Sequence, residues 1–236
     1  MQKMEDFVHL HVHTQYSILD GQSKIPCLVD KAIKDGMKGM AVTDHGVMFG
    51  IKELVDYCGK VNKDRKKEGL EPFKPIIGCE MYVARRGDKS LRSGKIDHSG
   101  WHLIVLAKNE KGYHNLIKLV SRSWVDGFYM RPRTDPSDLK KYHEGLIVSS
   151  ACLGGEVAQK IMKSTPEEVD KTILWYKEVF GDDYYLELMR HEVKNPAIRA
   201  NRDTYPLQKE VNKKLEELSE KHHIKLICTN DSHFVD

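Results

Sequence analysis

Short apolar, β-branched runs alternate with longer stretches of helical periodicity about seven times along this chain, and nothing else in it narrows the possible folds so much. FVHLHVH (7–13) precedes the helix-like IPCLVDKAIKDG, which Gly36 closes. MKGMAVTDH (37–45), KPIIGCEMYVA (74–84), GWHLIVLA (100–107), GLIVSSA (145–151), DYYLELM (183–189) and IKLICTN (224–230) read as further strands. Helical patterns cover 49–69, 109–124, 155–181 with a break, and 205–222. Alternation of this kind predicts an α/β fold with a largely parallel sheet, either a closed barrel or an open doubly wound sheet. No Gly-rich phosphate loop follows the first strand, which counts against a dinucleotide-binding domain. With no linker, repeat or low-complexity segment to divide it, residues 1–236 are expected to form one domain.

The chain's 236 residues suffice to bury a full core, and a hydrophobic fraction of 40% is ordinary for a globular protein. No apolar run approaches the roughly 20 residues that span a bilayer. MQKMEDFVHL is too acidic and too poor in apolar residues for a secretory leader, so a cytoplasmic protein without a membrane partner is expected. The 5 cysteines are odd in number and lack CxxC spacing, which favours reduced thiols over a disulfide framework. A net charge of +3 does not by itself imply nucleic acid, but its distribution is uneven. KVNKDRKKEG (60–69) reads as the solvated end of a helix. ARRGDKSLRSGK (84–95) and the stretch around Arg131 lie in loop-like sequence, where Arg85, Arg86, Arg131 and Arg133 are candidate contacts to a DNA backbone.

Polar residues fall repeatedly at strand ends. His9, His11 and His13 alternate along the first run, so an extended chain would turn all of them to one face. Alternation alone leaves open whether that stripe is a half-exposed polar face or one wall of a metal site. The first run ends in His11 and His13, with Asp20 soon after; the second ends in Asp44 and His45, the third in Glu80. The fourth carries His102, the fifth leads into Cys152, and the sixth carries Glu187 and continues to His191, which would line a rim. The last ends in Asp231 and His233. In a parallel α/β barrel such ends converge on one face. Any one of these residues is explained by a helix cap or a satisfied hydrogen bond. Together they form a polar cluster that burial would penalise unless something binds it. Divalent cations resolve the difficulty, and the donor count exceeds the need of one tetrahedral zinc. A cluster of two or three divalent metals is expected, of the Zn, Mn or Fe type rather than an all-oxygen Mg or Ca site. Such clusters hydrolyse phosphate esters.

HLHVHTQYSILDG, AVTDHGVMFG, PIIGCEMYVA, WHLIVLAKN, SACLGGE and TNDSHFVD, in this order, resemble the motifs of the PHP (polymerase and histidinol phosphatase) domain family. The likeness is greatest to the PHP domain at the N-terminus of bacterial replicative DNA polymerase III alpha subunits. The resemblance implies a distorted (β/α)7 barrel of PHP type with a trinuclear centre. Its ligands would be His11, His13, Asp20, His45, Glu80, His102, Cys152, Asp231 and His233, all metal-capable here. It implies 3′–5′ exonuclease proofreading on DNA, with His11, His13, Glu80 and Asp231 catalytic, and Glu80 or Asp231 bridging metals. Asp44 would hold an imidazole or a nearby backbone group, and His9 would support the ligands without binding metal. The chain stops at Asp236 without a paired-aspartate polymerase motif. It is therefore expected to be a piece of a longer polymerase that does not itself synthesise DNA. Its expected partners are DNA, the remainder of the alpha chain and other replisome subunits. Alternatives are a catalytically silent module that stabilises the polymerase and docks a proofreading subunit, and a histidinol-phosphate-type phosphatase. His98 and His114 lie outside the motifs, and His222 and His223 end a helix, where a cation complements the macrodipole.

Overall fold

A computed structural model of the chain describes residues 7–195 and 197–235. The first six residues, on which the argument against a secretory leader partly rests, lie outside them. No helix among the described residues is long and apolar enough to cross a membrane.

The elements follow the periodicities closely. The strands are β1 (Gly39–Val42), β2 (Lys74–Ala84), β3 (Gly100–Ala107), β4 (Arg133–Thr134), β5 (Leu146–Ser149), β6 (Tyr184–Met189) and β7 (Lys225–Thr229). The helices are α1 (Ile25–Lys34), α2 (Ile51–Lys67), α3 (Glu110–Val125), α4 (Pro136–Lys141), α5 (Glu156–Lys163), α6 (Pro166–Phe180) and α7 (Tyr205–His222). Local chemistry sets their ends. The Asn109 carboxamide accepts from the Gly112 amide to start α3, and Thr165 and Glu168 form a reciprocal capping box at α6. α1 gives way to Gly36 at φ +82°, a conformation glycine reaches without a Cβ penalty.

The sheet runs β1-β2-β3-β5-β6-β7, with the short β4 beside the end of β2. It is less parallel than the alternation predicts: β3 is antiparallel to both β2 and β5. The cause lies in residues 85–99, which hold only a 3-10 turn (Lys95–His98) where a parallel crossover would need a helix. The chain turns back on itself and pairs Ala84 with Gly100. The first run also departs from expectation. Residues 9–13 form no continuous strand but bridge β1 and the residues after β7. Ala41 N–H donates to the His9 carbonyl (2.8 Å), and His13 N–H donates to that of Ser232 (2.8 Å). These bridges curl the sheet into a barrel, and they place the start and end of the described chain side by side.

Strand alternation sorts the side chains. Outward-facing Cys79, Met81, Val83, Leu103, Val105 and Val148 join Leu116 and Leu119 of α3 and Ile173 of α6 in the main core. A second core packs α1 and α2 against β1 through Val29, Leu54, Met40 and Val42. Facing inward, Ala41, Ile104 and Leu106 form an apolar layer with Ile76 and Ile147 packed against it. The inward positions towards the opposite end of the same strands are Glu80, Tyr82 and His102. One end of the barrel is therefore dry and the other polar.

Candidate metal centre

Glu80, on β2, sits at the middle of the polar end, and its side chain is almost wholly buried. Its Oε1 lies 2.8 Å from His102 Nδ1 and 3.5 Å from His11 Nε2, while Oε2 lies 3.5 Å from His13 Nε2 and in close contact with His45 Nδ1. Asp231 Oδ1 reaches His11 Nε2 (3.1 Å), His13 Nε2 (3.2 Å) and His233 Nε2 (3.1 Å). Asp20, half exposed, lies 3.2 Å from His45 Nε2 and 3.6 Å from His233 Nδ1. Cys152 Sγ lies 3.5 Å from His102 Nδ1. The fold thus gathers all the ligand positions that the motifs mark. All but Asp20 fall into three groups, His13–His45–His233 and His11–His13–Asp231, which share His13, and Glu80–His102–Cys152, with donor atoms inside each group no more than 4.8 Å apart. Because β3 runs backwards, His102 enters near that strand's beginning rather than at a C-terminal end.

The residues present suit divalent cations. His11 Nε2, His13 Nε2, His45 Nδ1, Glu80 Oε2 and His233 Nδ1 are buried and face one another or the Asp231 and Asp20 carboxylates without well-directed hydrogen bonds, an arrangement that burial penalises. Hydrogen bonds behind the rings fix their tautomers. His11 Nδ1 is 2.8 Å from Glu187 Oε1, and a carboxylate can only accept, so Nδ1 carries a proton and Nε2 is the atom this ring can offer a cation. The Ser17 hydroxyl donates to Asp44 (2.9 Å) and has no second proton, so it accepts from His13 Nδ1–H (2.8 Å). The His45 amide donates to the same oxygen (3.1 Å). Asp44 also accepts from the Thr14 amide and hydroxyl (2.7 and 2.9 Å), anchoring the turn that carries Ser17. Asp44 therefore acts on His13 through Ser17, a residue with no signal in the sequence beyond its place four positions after His13.

Glu187 departs from its expected place on a rim. It is 2% exposed and sits beneath His11, where it accepts from the hydroxyls of Ser149 and Thr229 as well. His191 is held by Gln208 and the Asn230 carbonyl and belongs to no cluster group. His9 is turned away from the cluster. Its ring packs edge-on against Phe7 (4.9 Å) and lines a cleft with Lys31, Asp35 and Asn230, because bridges alone do not impose strand alternation. His98 packs on Tyr129, His114 is exposed, and His222 Nε2 bonds Asp170.

Charge and burial oppose each other throughout the cluster. Burial by itself would raise the Glu80 carboxyl, but His102, His11 and His45 outweigh it and hold the group well below the carboxylate range. Burial would lower His45, yet Glu80 and Asp20 push it up to about 9. Burial also raises the Cys152 thiol. Two of the four non-glycine residues at positive φ among those described are Asp231 (48°) and Ala151 (60°), the residue before Cys152. At Gly154 a Cβ would meet the His102 ring at 3.0–3.2 Å. Gly154→Ala should displace His102 and lower metal affinity at that end by roughly 10- to 100-fold, the range seen when a ligand's support is lost. Metal titration of the variant checks this, and parental affinity would contradict it.

The basic residues divide differently from expectation. Arg133 leaves the DNA-contact set. It is 0% exposed and donates to the carbonyls of Gly127 (3.1 Å), Leu91 (3.0 Å) and Lys89 (2.8 Å). Arg86 is paired with Asp97 and Ser93, and Lys89 with Asp135 and Asp138, so two of the five cations in residues 84–95 pin the loop. Arg85 is exposed over the Trp101 ring (4.8 Å). Arg131 lines a cleft of ≈ 540 Å³ that opens beside Asp20, His45 and His102. Arg133→Met would leave buried carbonyls without donors. We expect a loss of about 3–5 kcal/mol, read as a Tm fall of roughly 10 °C, and a fall below about 2 °C would refute the assignment.

Residues 9–191 match the family described as the PHP domain. Asp231 and His233 lie beyond that match and reach the cluster only through the fold. The chain is 44% identical over 230 residues to DNA polymerase III subunit alpha of Borreliella burgdorferi, and 38% identical over 237 residues to that of Aquifex aeolicus. Each alignment covers 98% of this chain and 18% of the relative, so the chain spans under a fifth of these relatives' length. Among solved structures, a protein assigned as a metal-dependent phosphoesterase from Bifidobacterium adolescentis matches 97% of this chain with TM-score 0.54 and 15% identity, over 88% of its own length. An amidohydrolase from Chromobacterium violaceum matches 96% with TM-score 0.56 and 12% identity, over 87% of its own length.

Proposed function

The chain belongs to the PHP domain family, and from that premise we propose that it is a metal-dependent phosphoesterase domain of a replicative DNA polymerase alpha chain, removing nucleotides from the 3′ end of DNA. The observation that carries the reading is the set of buried imidazole nitrogens and carboxylate oxygens that converge on Glu80 and Asp231 without well-directed hydrogen bonds. His11, His13, Asp20, His45, Glu80, His102, Cys152, Asp231 and His233 would hold two or three divalent cations, of Zn, Mn or Fe type. Bound there, the cations would supply Lewis-acid activation of water and charge neutralisation at the phosphoryl oxygens.

The chain's own residues would do the rest. Glu80 and Asp231 would bridge neighbouring ions, since each already touches residues of more than one ligand group. Glu187 and Ser17 would keep the Nδ1 protons on His11 and His13, so that both rings present a lone pair at Nε2. Arg131 would orient the phosphate backbone at the cleft mouth. The test is release of 3′ nucleotides from single-stranded DNA with added Mn²⁺ or Zn²⁺. Absence of release from protein shown to carry its metals would end the exonuclease reading.

A second reading, that the metals chiefly hold the fold, is favoured by one observation. His11 and His13 sit on a stave joined by isolated bridges, and Asp231 and His233 on the segment it meets. Cations would tie the two together, and their binding would be folding free energy. Chelation should lower Tm by on the order of 10 °C. Loss of Tm together with full absence of hydrolysis in every metal would favour this reading over the first; the roles are otherwise compatible.

A further inference from the structure

Aromatic side chains stand exposed along the cleft that opens from the cluster. Phe49 is 64% exposed, Phe128 44% and Trp124 42%, and all three line this cleft. Trp124 and Phe128 stack on each other (5.3 Å, 16° between planes), a flat aromatic wall that shares the cleft with the exposed aliphatic side chains of Ile18, Leu19 and Met130. The platform is aligned with the cluster by a hydrogen bond. Trp124 Nε1–H donates to the carbonyl of Gly46 (2.8 Å), the residue after His45. Gly46 is at φ +63°, where a Cβ would meet Pro132 at 2.6 Å, so the close approach of this turn to the cleft wall requires glycine. Arg131 adds a cation to the same wall.

We infer that Phe49, Trp124 and Phe128 form a base-stacking subsite for the unpaired 3′-terminal nucleotides of a DNA strand whose backbone Arg131 meets. The inference rests on the phosphoesterase reading and names its substrate. Aromatic faces take any base, because every base has a π-face, but a base inside a duplex has both faces covered by its neighbours. A strand must therefore fray before its end reaches the cluster. Mismatched ends unpair most readily, so the platform itself selects them, with no reading of sequence. An apolar protein segment, the other occupant such a rim invites, would leave Arg131 and the adjacent cluster without a matching charge.

Binding is measured separately from hydrolysis, by fluorescence anisotropy on the metal-loaded chain. The probes are a short oligothymidylate with phosphorothioate linkages at its 3′ end, which resist cleavage, and an abasic strand of the same length and linkage. The parent should bind the oligothymidylate ~10- to 100-fold more tightly than the abasic strand, as expected when bases stack on aromatic side chains. Phe49→Ala with Phe128→Ala should remove that difference while leaving Tm and abasic binding unchanged. Phe49→Tyr with Phe128→Tyr should retain it. Equal affinity of the parent for both strands, or a preference that survives in the alanine variant, overturns the subsite. Base-dependent binding without nucleotide release would sustain the subsite and end the exonuclease reading instead; release with equal binding would do the reverse.

Discussion

Glu80→Gln should leave the chain folded but strip cations from the cluster and reduce phosphoester hydrolysis by roughly 10³-fold, equivalent to the several kcal/mol of charge stabilisation that bound metals supply. Glu80 touches His11, His13, His45 and His102, more histidines of the ligand set than Asp231 or Asp20 reaches. An amide keeps the shape but loses the negative charge and one acceptor oxygen, and its NH₂ cannot ligate. Both effects fall on more than one ion at once. Metal content by mass spectrometry should drop by more than one equivalent, whereas a peripheral ligand such as Asp20, half exposed, should lose one at most. Full metal content together with a rate within tenfold of the parent would show that Glu80 does not bridge. Because the same carboxylate raises His45, the variant should also bind fewer protons at neutral pH in its metal-free form.

Glu187→Leu acts from behind the cluster and should damage stability as well as metal binding. The carboxylate is buried and accepts from His11 Nδ1–H, the Ser149 hydroxyl and the Thr229 hydroxyl. Leucine fills much of the volume but leaves those donors unpaired in the barrel interior. The expected loss is about 3–5 kcal/mol, seen as a Tm decrease of roughly 10 °C in the chelated protein. Metal affinity should fall a further ~10- to 100-fold, because His11 loses the partner that fixes its tautomer. Glu187→Gln keeps one acceptor oxygen and should fall between the two. If glutamine and leucine behave alike, orientation of His11 is not what Glu187 provides.

Several elements were legible before any coordinates. β2, β3 and α7 span the same residues that their periodicity marks, since alternation and 3.6-residue spacing are local properties of a segment that buries one face. The ligand pool was legible for a related reason. Histidines and carboxylates inside apolar strand sequence would be unfavourable without a partner, so their recurrence points to cations wherever the strands run. Arg133 reads in the sequence as a candidate DNA contact because a cation in loop sequence looks the same whether it faces water or carbonyls. Only the 91-to-133 and 89-to-133 approaches reveal that Arg133 is spent inside the protein.

What the amino-acid order determined by itself was the succession of strands and helices and the stock of metal-capable side chains on them. What tertiary structure decided was direction, rank and support. It reversed β3 and so brought His102 in from the strand's start. It turned His9 aside from His11 and His13, and it placed Glu187 under an imidazole 176 residues away in sequence. Periodicity is written into neighbouring residues, whereas these outcomes depend on which distant segments pair when the barrel closes, and a pairing between residues 11 and 187 leaves no mark on the sequence around either.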